Sequence, residues 1–208
     1  MKQTYFITGI GTDVGKTVVS AIFTEALEAD YWKPVQAGDL ENSDSKKVQR
    51  LISNSKTKFH ASAFNLNTPM SPHGAAAIDG VTINLKKMKR PSTKNDLIIE
   101  GAGGLLVPLN DRETILDMIK PTDRVIVVSR HYLGSINHTL LTIEKLKQRD
   151  LNIFGIIFSG NENPSTESII LKMTNVEILG RIEEEPYFDK NVVAEYAEIF
   201  KNELTRKG

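Results

Sequence analysis

The segment ITGIGTDVGKT, residues 7–17, most constrains the fold of this chain, because three glycines join a short apolar run to a stretch with helical periodicity. Glycine lets the backbone approach a ligand closely, and N–H groups at a helix start bind phosphate. Lys16 supplies a positive charge for the outer phosphates, and the Thr17 hydroxyl is a Mg²⁺ ligand. The segment predicts a phosphate-binding loop of variant type, since the strict pattern has glycine where this chain has Ile10. The alternative is a glycine-rich turn before a helix with an exposed lysine.

The composition is that of an ordinary globular protein, and it excludes several classes of function. The chain has 208 residues, 40% hydrophobic and 25% charged, which predicts one domain spanning residues 1–208. Its 26 basic and 26 acidic side chains balance, which argues against bulk binding to nucleic acid or to an acidic membrane. No cysteine is present, which excludes disulfides and thiol chemistry. No apolar run reaches membrane-spanning length, and the chain starts with a strand rather than a signal peptide, so we expect a cytoplasmic protein.

Apolar runs alternate with segments of helical periodicity along most of the chain. Strands are predicted at residues 5–8, 31–36, 96–100, 124–129 and 151–158. Helices are predicted to begin at Lys16, Asp44 and Ser135. This alternation predicts a P-loop NTPase-like α/β fold, a parallel sheet with helices on both faces. Ligands bind at the carboxyl ends of such strands, so the phosphate loop, KPVQAG and EGAGG are expected to meet at one edge.

Three charged residues near that edge are candidates for chemistry. Glu100 ends an apolar strand, the place where P-loop proteins put an acidic residue near Mg²⁺, and the alternative is a charge that caps the strand. Asp44 is another oxygen ligand, but its surroundings, NSDS, favour a helix N-cap. Lys33 lies beside Pro34 in the second predicted strand, and its spacing leaves open whether it neutralises a second anion or is an exposed lysine.

The histidines and serines give weaker signals. The four histidines have no metal-ligand spacing. Ser71, Ser129 and Ser159 lack the surroundings of a serine nucleophile. The segment GSINH, residues 134–138, lies at a helix start whose N–H groups suit a carboxylate or a phosphate. A plain helix entry capped by Ser135 is the alternative.

The motifs TGIGTDVGKT, YWKPVQAG, NSD, SPH, EGAGG and LGSINHTLLT together resemble the dethiobiotin synthetase family, in the family's order. The resemblance covers most of the first two-thirds of the chain. It implies a homodimer that closes the ureido ring of dethiobiotin from 7,8-diaminononanoate, CO₂ and ATP with Mg²⁺. The expected route passes through a carbamate and a carbamic-phosphoric anhydride. Where many members have serine or threonine this chain has Ala37, and where they have an adenine-reading asparagine it has Ser159.

The resemblance implies roles for individual residues. Catalytic roles fall to Lys33, Lys16 and Thr12, and Mg²⁺ ligation to Thr17, Asp44 and Glu100. The nucleotide would be bound by Gly11, Thr12, Asp13, Val14, Gly15, Lys16, Thr17, Val18, Asp44, Glu100, Gly101, Ala102, Gly103, Ser159 and Gly160. The substrate would be bound by Lys33, Ala37, Ser71 and the segment Gly134, Ser135, Ile136, Asn137 and His138, which would reach into the partner subunit's site.

Two other classes of protein share parts of this pattern. A P-loop ATPase switch that positions cargo commonly carries a lysine at the loop entrance, where this chain has Gly11. A related amidase-type ligase usually carries a glutaminase domain with a cysteine, and this chain has none.

Overall fold

The computed structural model describes residues 2–206, which form one α/β unit. The strands are β1 (Thr4–Gly9), β2 (Asp30–Trp32), β3 (Val35–Ala37), β4 (Phe59–His60), β5 (Phe64–Leu66), β6 (Leu97–Gly104), β7 (Arg124–Arg130), β8 (Ile153–Ser159) and β9 (Ile178–Ile182). The α-helices are α1 (Lys16–Leu27), α2 (Asp44–Leu51), α3 (Pro72–Ile78), α4 (Ser135–Gln148), α5 (Pro164–Thr174) and α6 (Lys190–Arg206). The outermost residues of the predicted domain, 1, 207 and 208, lie outside the described part, and its boundaries stay a prediction.

A seven-stranded parallel sheet organises the molecule, with strand order β4-β2-β6-β1-β7-β8-β9. The central strands are buried on both faces, which is why they read as continuous apolar runs in the sequence. Phe6, Ile98 and Val127 illustrate this burial, since none of them is exposed to solvent. A second, two-stranded parallel sheet pairs β3 with β5.

The strand order determines which helices cover which face. The crossover through α1 runs from β1 towards one edge of the sheet, and those through α4 and α5 run towards the other. Right-handed crossovers in opposite directions place their helices on opposite faces. In agreement, α1 packs with α2 and α6, whereas α4 packs with α5. The predicted α/β fold with helices on both faces is therefore confirmed.

The predicted second strand, residues 31–36, is wrong as a single element. β2 ends at Trp32 and belongs to the large sheet, whereas β3 begins at Val35 in the small sheet. Pro34 lies in the break and has no N–H to donate to a ladder. The break leaves Lys33 at the carboxyl end of β2, on the edge where ligands bind.

The predicted end of the third strand at Glu100 is also wrong, because β6 continues through the glycines to Gly104. Gly104 pairs with Gly9 after a shift in register that begins at Ile7. Glu100 therefore lies inside a central strand and is buried there. It is not a charge that caps a strand end.

Candidate active site

A cavity of about 680 Å³ lies at the carboxyl edge of the sheet. It gathers residues that are far apart in the sequence, as the topology predicts. Its walls are formed by Thr12, Asp13, Gly15, Lys16, Thr17, Val18, Lys33, Val35, Gln36, Ala37, Asp44, Pro69, Met70, Ser71, Pro72, Glu100, Ala102, Gly103, Val107 and Arg130. Most of the predicted site residues are therefore brought together in one place.

The phosphate loop runs from the end of β1 to the start of α1. Gly15 precedes the helix with φ of 95°, in the left-handed region that favours glycine. A Cβ atom there would also lie 2.8 Å from Ser159 Oγ. Because Val19 N donates to Gly15 O at 3.0 Å, the earlier N–H groups of α1 have no carbonyl partner within the helix. The loop therefore offers N–H donors and the positive end of a helix to a phosphate group.

Lys16 is folded back onto its own loop. Its Nζ donates to the Gly11 carbonyl at 2.8 Å, and the side chain is buried. Burial and the nearby Lys33 ammonium lower the pKa of Lys16, the acidic neighbours oppose them, and the net pKa is about 8. A phosphate in the loop would replace the carbonyl as the partner of Lys16 and favour its charged form.

Lys33 lies at the centre of a buried charged cluster. Its Nζ is 2.8 Å from Asp44 Oδ2, 3.0 Å from Glu100 Oε1 and 2.9 Å from the Gly101 carbonyl. Burial lowers the pKa of Lys33, but Glu100 and Asp44 outweigh burial, so the net pKa lies above the ordinary lysine value. Burial likewise raises the pKa of Asp44, and Lys33 outweighs it, so the net pKa is lowered. Both shifts favour the charged forms of Lys33 and Asp44 at neutral pH. Because Lys33 is buried, the exposed-lysine interpretation is wrong.

Asp44 is not the N-cap of α2. Ser43 holds that position, where its Oγ accepts a hydrogen bond from Lys46 N at 3.4 Å, and Asp44 is the first helical residue. The Asp44 side chain is free to face the cavity, while Gln36 Oε1 accepts from its N–H at 3.1 Å. Gln36, which the sequence analysis missed, therefore positions the start of α2.

Glu100 and Thr17 complete the polar floor of the cavity. Thr17 Oγ1 donates to Glu100 Oε1 at 2.9 Å, and the hydroxyl of Tyr31 donates to Glu100 Oε2 at 2.8 Å. Tyr31 was also missed by the sequence analysis. Its burial, together with the charge of Glu100, raises its pKa well above the ordinary tyrosine value, so it remains a hydrogen-bond donor.

The chemistry of this oxygen cluster fits Mg²⁺. Thr17, Asp44 and Glu100 present one hydroxyl and two carboxylates to the same cavity. Mg²⁺ prefers oxygen ligands, and it is bound in nucleotide sites by one or two carboxylates together with phosphate oxygens. No group of three or more His, Cys, Asp or Glu side chains that could hold a metal occurs between residues 2 and 206, so an all-protein metal cage is not found there.

The remaining nucleotide-binding candidates lie in different places: at a small separate cavity, in the main cavity or in the core. Ser159 lines a small cavity of about 80 Å³ that also contacts Gly15, Val18 and Arg130 and is closed by residues 182–185 and 188. Gly160 lies beside it, where its N–H donates to Ile182 O at 2.8 Å. Ala102 and Gly103 line the main cavity, whereas Val14 is buried.

The candidate substrate residues fall into two groups. Ala37 and Ser71 line the main cavity. Residues 134–138 do not line it, and only His138 borders a neighbouring cavity of about 410 Å³ that also contacts Gly11 and Thr12. Gly134, with φ of 102°, rather than Ser135, is the N-cap of α4, so the predicted Ser135 cap is wrong. The role of residues 134–138 in the partner subunit's site stays a prediction.

Among residues 2–206, no helix is long and apolar enough to cross a membrane.

Solved structures with the same fold include P-loop ATPases. The cell division ATPase MinD of Pyrococcus furiosus aligns over 100% of both chains, with a TM-score of 0.64 and 15% identity. A putative plasmid partition protein from Borrelia burgdorferi, bound to AMPPNP, aligns over 99% of this chain and 98% of its own, with a TM-score of 0.57 and 14% identity. At such low identity the likeness shows the P-loop NTPase fold and nothing further.

Sequence relatives identify the family. A family model described as an AAA domain matches residues 3–192. The ATP-dependent dethiobiotin synthetase BioD of Christiangramia forsetii is 65% identical over 98% of this chain and 99% of that protein. The protein of the same name from Cytophaga hutchinsonii is 51% identical over 95% of this chain and 97% of its own length. The chain therefore belongs to the family of ATP-dependent dethiobiotin synthetases, which are ligases that form C–N bonds.

Proposed function

We propose that this protein forms dethiobiotin from 7,8-diaminononanoate, CO₂ and ATP. The observation that carries the proposal is the convergence of two lysines with an oxygen cluster on one cavity. Lys16 and Lys33 supply positive charge there, and Thr17, Asp44 and Glu100 supply oxygen ligands. The high identity to named dethiobiotin synthetases over almost the whole chain supports the same conclusion.

The proposed reaction brings two anions together. One substrate amine attacks CO₂ and loses a proton, which gives a carbamate. A carbamate oxygen then attacks the γ-phosphorus of ATP, ADP leaves, and a carbamic-phosphoric anhydride results. The second amine attacks the carbonyl carbon of the anhydride and loses a proton, phosphate leaves, and the five-membered ureido ring closes.

The charges of this site oppose the repulsion between carbamate and triphosphate. The N–H groups at the start of α1 and the Lys16 ammonium hold the phosphates, while Lys33, just after β2, faces the same cavity and attracts the carbamate. Thr12 is exposed and borders both larger cavities, and it would contact the transferred phosphoryl group. Mg²⁺, held by Thr17, Asp44 and Glu100, would neutralise charge on the phosphate oxygens.

No protein nucleophile is needed for this chemistry. Both bond-forming steps join substrate atoms, so the protein contributes by orientation and by charge. Ala37 in β3 and Ser71, the N-cap of α3, line the main cavity and would contact the diamine. Ser159 and Gly160 would contact the nucleobase.

We also propose that the active unit is a homodimer. Two exposed large apolar side chains, Leu106 and Leu141, line the second cavity. Tyr132, Leu133 and Ile136 are also exposed, at or just before the start of α4, the helix that carries Leu141. A soluble monomer rarely exposes a large apolar patch. A second copy of the chain placed on this patch would bring residues 134–138 near a substrate site, which fits the role that the family resemblance implies for them.

The direct test combines purified protein with diaminononanoate, bicarbonate, Mg²⁺ and ATP. We expect phosphate release that depends on the diamine, with one dethiobiotin formed for each phosphate. Consumption of ATP without dethiobiotin would contradict the proposal.

Subunit mixing tests the shared site. The Lys16→Ala and Asn137→Ala variants are each expected to be inactive as homodimers. The two are purified separately, mixed in equal amounts and allowed to exchange subunits. If each site uses both chains, half of the dimers carry one intact site, and about a quarter of wild-type activity returns. No recovery after confirmed exchange would contradict a site built from two chains.

A further inference from the structure

Tyr31 is a buried tyrosine that contacts the active-site residue Glu100 from outside the main cavity. Its relative exposure is 0%, and it does not line the main cavity, whereas its partner Glu100 does. The ring packs against Phe59 of the neighbouring strand β4, with centroids 5.6 Å apart. Phe59 does not line the main cavity either, so the ring is held by a contact outside it.

The register of the sheet explains why the hydroxyl arrives at Glu100. Tyr31 pairs with Ile98 in the parallel ladder between β2 and β6. Side chains two residues apart on a strand share a face, so Glu100 points to the same side as Ile98 and Tyr31. The long tyrosine ring spans that diagonal and ends 2.8 Å from Glu100 Oε2.

The two oxygens of Glu100 have different partners. Oε1 accepts hydrogen bonds from Thr17 and Lys33, which both line the cavity and would therefore also contact bound ligands. Oε2 accepts from Tyr31, which lies outside the cavity. One hydroxyl therefore links the candidate metal-binding carboxylate of Glu100 to the buried strand β2.

We infer that Tyr31 is a positioning residue that fixes the Glu100 carboxylate for Mg²⁺-dependent nucleotide binding. The inference rests on the proposed function, and it assigns Tyr31 an effect on the use of Mg²⁺ rather than on phosphate binding itself. Partners of metal-binding carboxylates orient the ligand atoms, and their loss typically reduces metal affinity or activity.

The test measures ATP binding by calorimetry at increasing Mg²⁺, for wild type, Tyr31→Phe and Tyr5→Phe. Tyr5 is a matched control, because it is buried in β1 and its hydroxyl contacts Arg124 at 3.4 Å, away from the cavity. We expect the Mg²⁺ concentration for half of the maximal effect to rise about tenfold in Tyr31→Phe only. ATP binding without Mg²⁺ should change by less than about twofold in either variant, since the phosphate loop is intact.

Equal Mg²⁺ dependence in all three proteins would overturn the inference. So would an equal loss of ATP binding with and without Mg²⁺ in Tyr31→Phe, because that result indicates a purely structural role. These titrations do not depend on turnover, so failure of dethiobiotin formation by the wild type would reject the proposed function separately.

A second measurement covers the case in which Tyr31→Phe does not fold. Wild-type protein labelled with ¹³C at tyrosine Cζ has five labelled side chains, which are assigned by substituting the other four. Adding Mg²⁺ to the ATP complex should shift the Tyr31 resonance, because its hydrogen-bond acceptor gains a cation, and leave that of Tyr5 in place. A Tyr31 resonance that does not respond to Mg²⁺ would overturn the inference.

Discussion

Replacing Lys33 by alanine is the most informative perturbation of this site. The Lys33 side chain is only 4% exposed, and its Nζ contacts Asp44, Glu100 and the Gly101 carbonyl within 3.0 Å. Removing the ammonium leaves the carboxylates of Asp44 and Glu100 without the cation that they share. Loss of one partner from a buried ion pair costs about 3–5 kcal/mol in the free energy of unfolding.

The expected kinetic effect is of similar size. Removing one charged or oxyanion-stabilising donor costs about 2–4 kcal/mol of transition-state stabilisation, which is a loss of about 30- to 1000-fold in rate. Because Mg²⁺ can neutralise the same carboxylates, we expect it to raise the free energy of unfolding of Lys33→Ala more than that of the wild type.

The assay follows phosphate release and dethiobiotin formation in parallel with chemical denaturation, each with and without Mg²⁺. Lys47→Ala is the matched control, because the Lys47 ammonium lies 3.7 Å from the other Asp44 oxygen but is partly exposed. That variant should behave as the wild type to within about twofold, as exposed ion pairs contribute little. Normal phosphate release by Lys33→Ala would refute the role of Lys33.

Three further results are expected. Since the pKa of Lys16 is about 8 in the free protein, it is charged below that pH and neutral above it, so kcat/KM for ATP should fall as pH rises through 8. A flat profile to pH 9 would contradict this. Gly15→Ala, at φ of 95° and against Ser159 Oγ, should lower the free energy of unfolding by about 1–3 kcal/mol and weaken ATP binding, and chemical denaturation checks it. Asp44→Asn should raise the Mg²⁺ concentration for half-maximal rate by about tenfold or more, and an unchanged Mg²⁺ titration would exclude Asp44 as a ligand.

Continuous motifs were predictable from the sequence because local chemistry defines them. The loop from Gly9 to Thr17 carries its glycines, lysine and threonine in one stretch, and the structure places it between β1 and α1 as predicted. The parallel α/β fold was also predictable, since the alternation of apolar runs with helical periodicity requires covered parallel strands.

Contacts between distant segments were not predictable in the same way. Tyr31 and Glu100 are 69 residues apart, and only the register of β2 against β6 brings the hydroxyl to the carboxylate. Pro34 is the one visible signal for the break between β2 and β3, because proline has no N–H to donate to a ladder, but proline also occurs in edge strands and so does not by itself end a strand. The residues around Asp44 by themselves favour a cap, because acidic residues suit that position, whereas the preceding Ser43 holds it.

The most direct test of the proposed chemistry follows one oxygen atom. Freshly dissolved C¹⁸O₂ is supplied with the diamine, Mg²⁺ and ATP, and the reaction is stopped before the CO₂ exchanges its label with water. The released phosphate is then analysed by mass spectrometry. If a carbamate oxygen attacks the γ-phosphorus in the site formed by Lys16 and Lys33, each phosphate should carry one ¹⁸O. Phosphate without ¹⁸O, released together with dethiobiotin, would contradict this account.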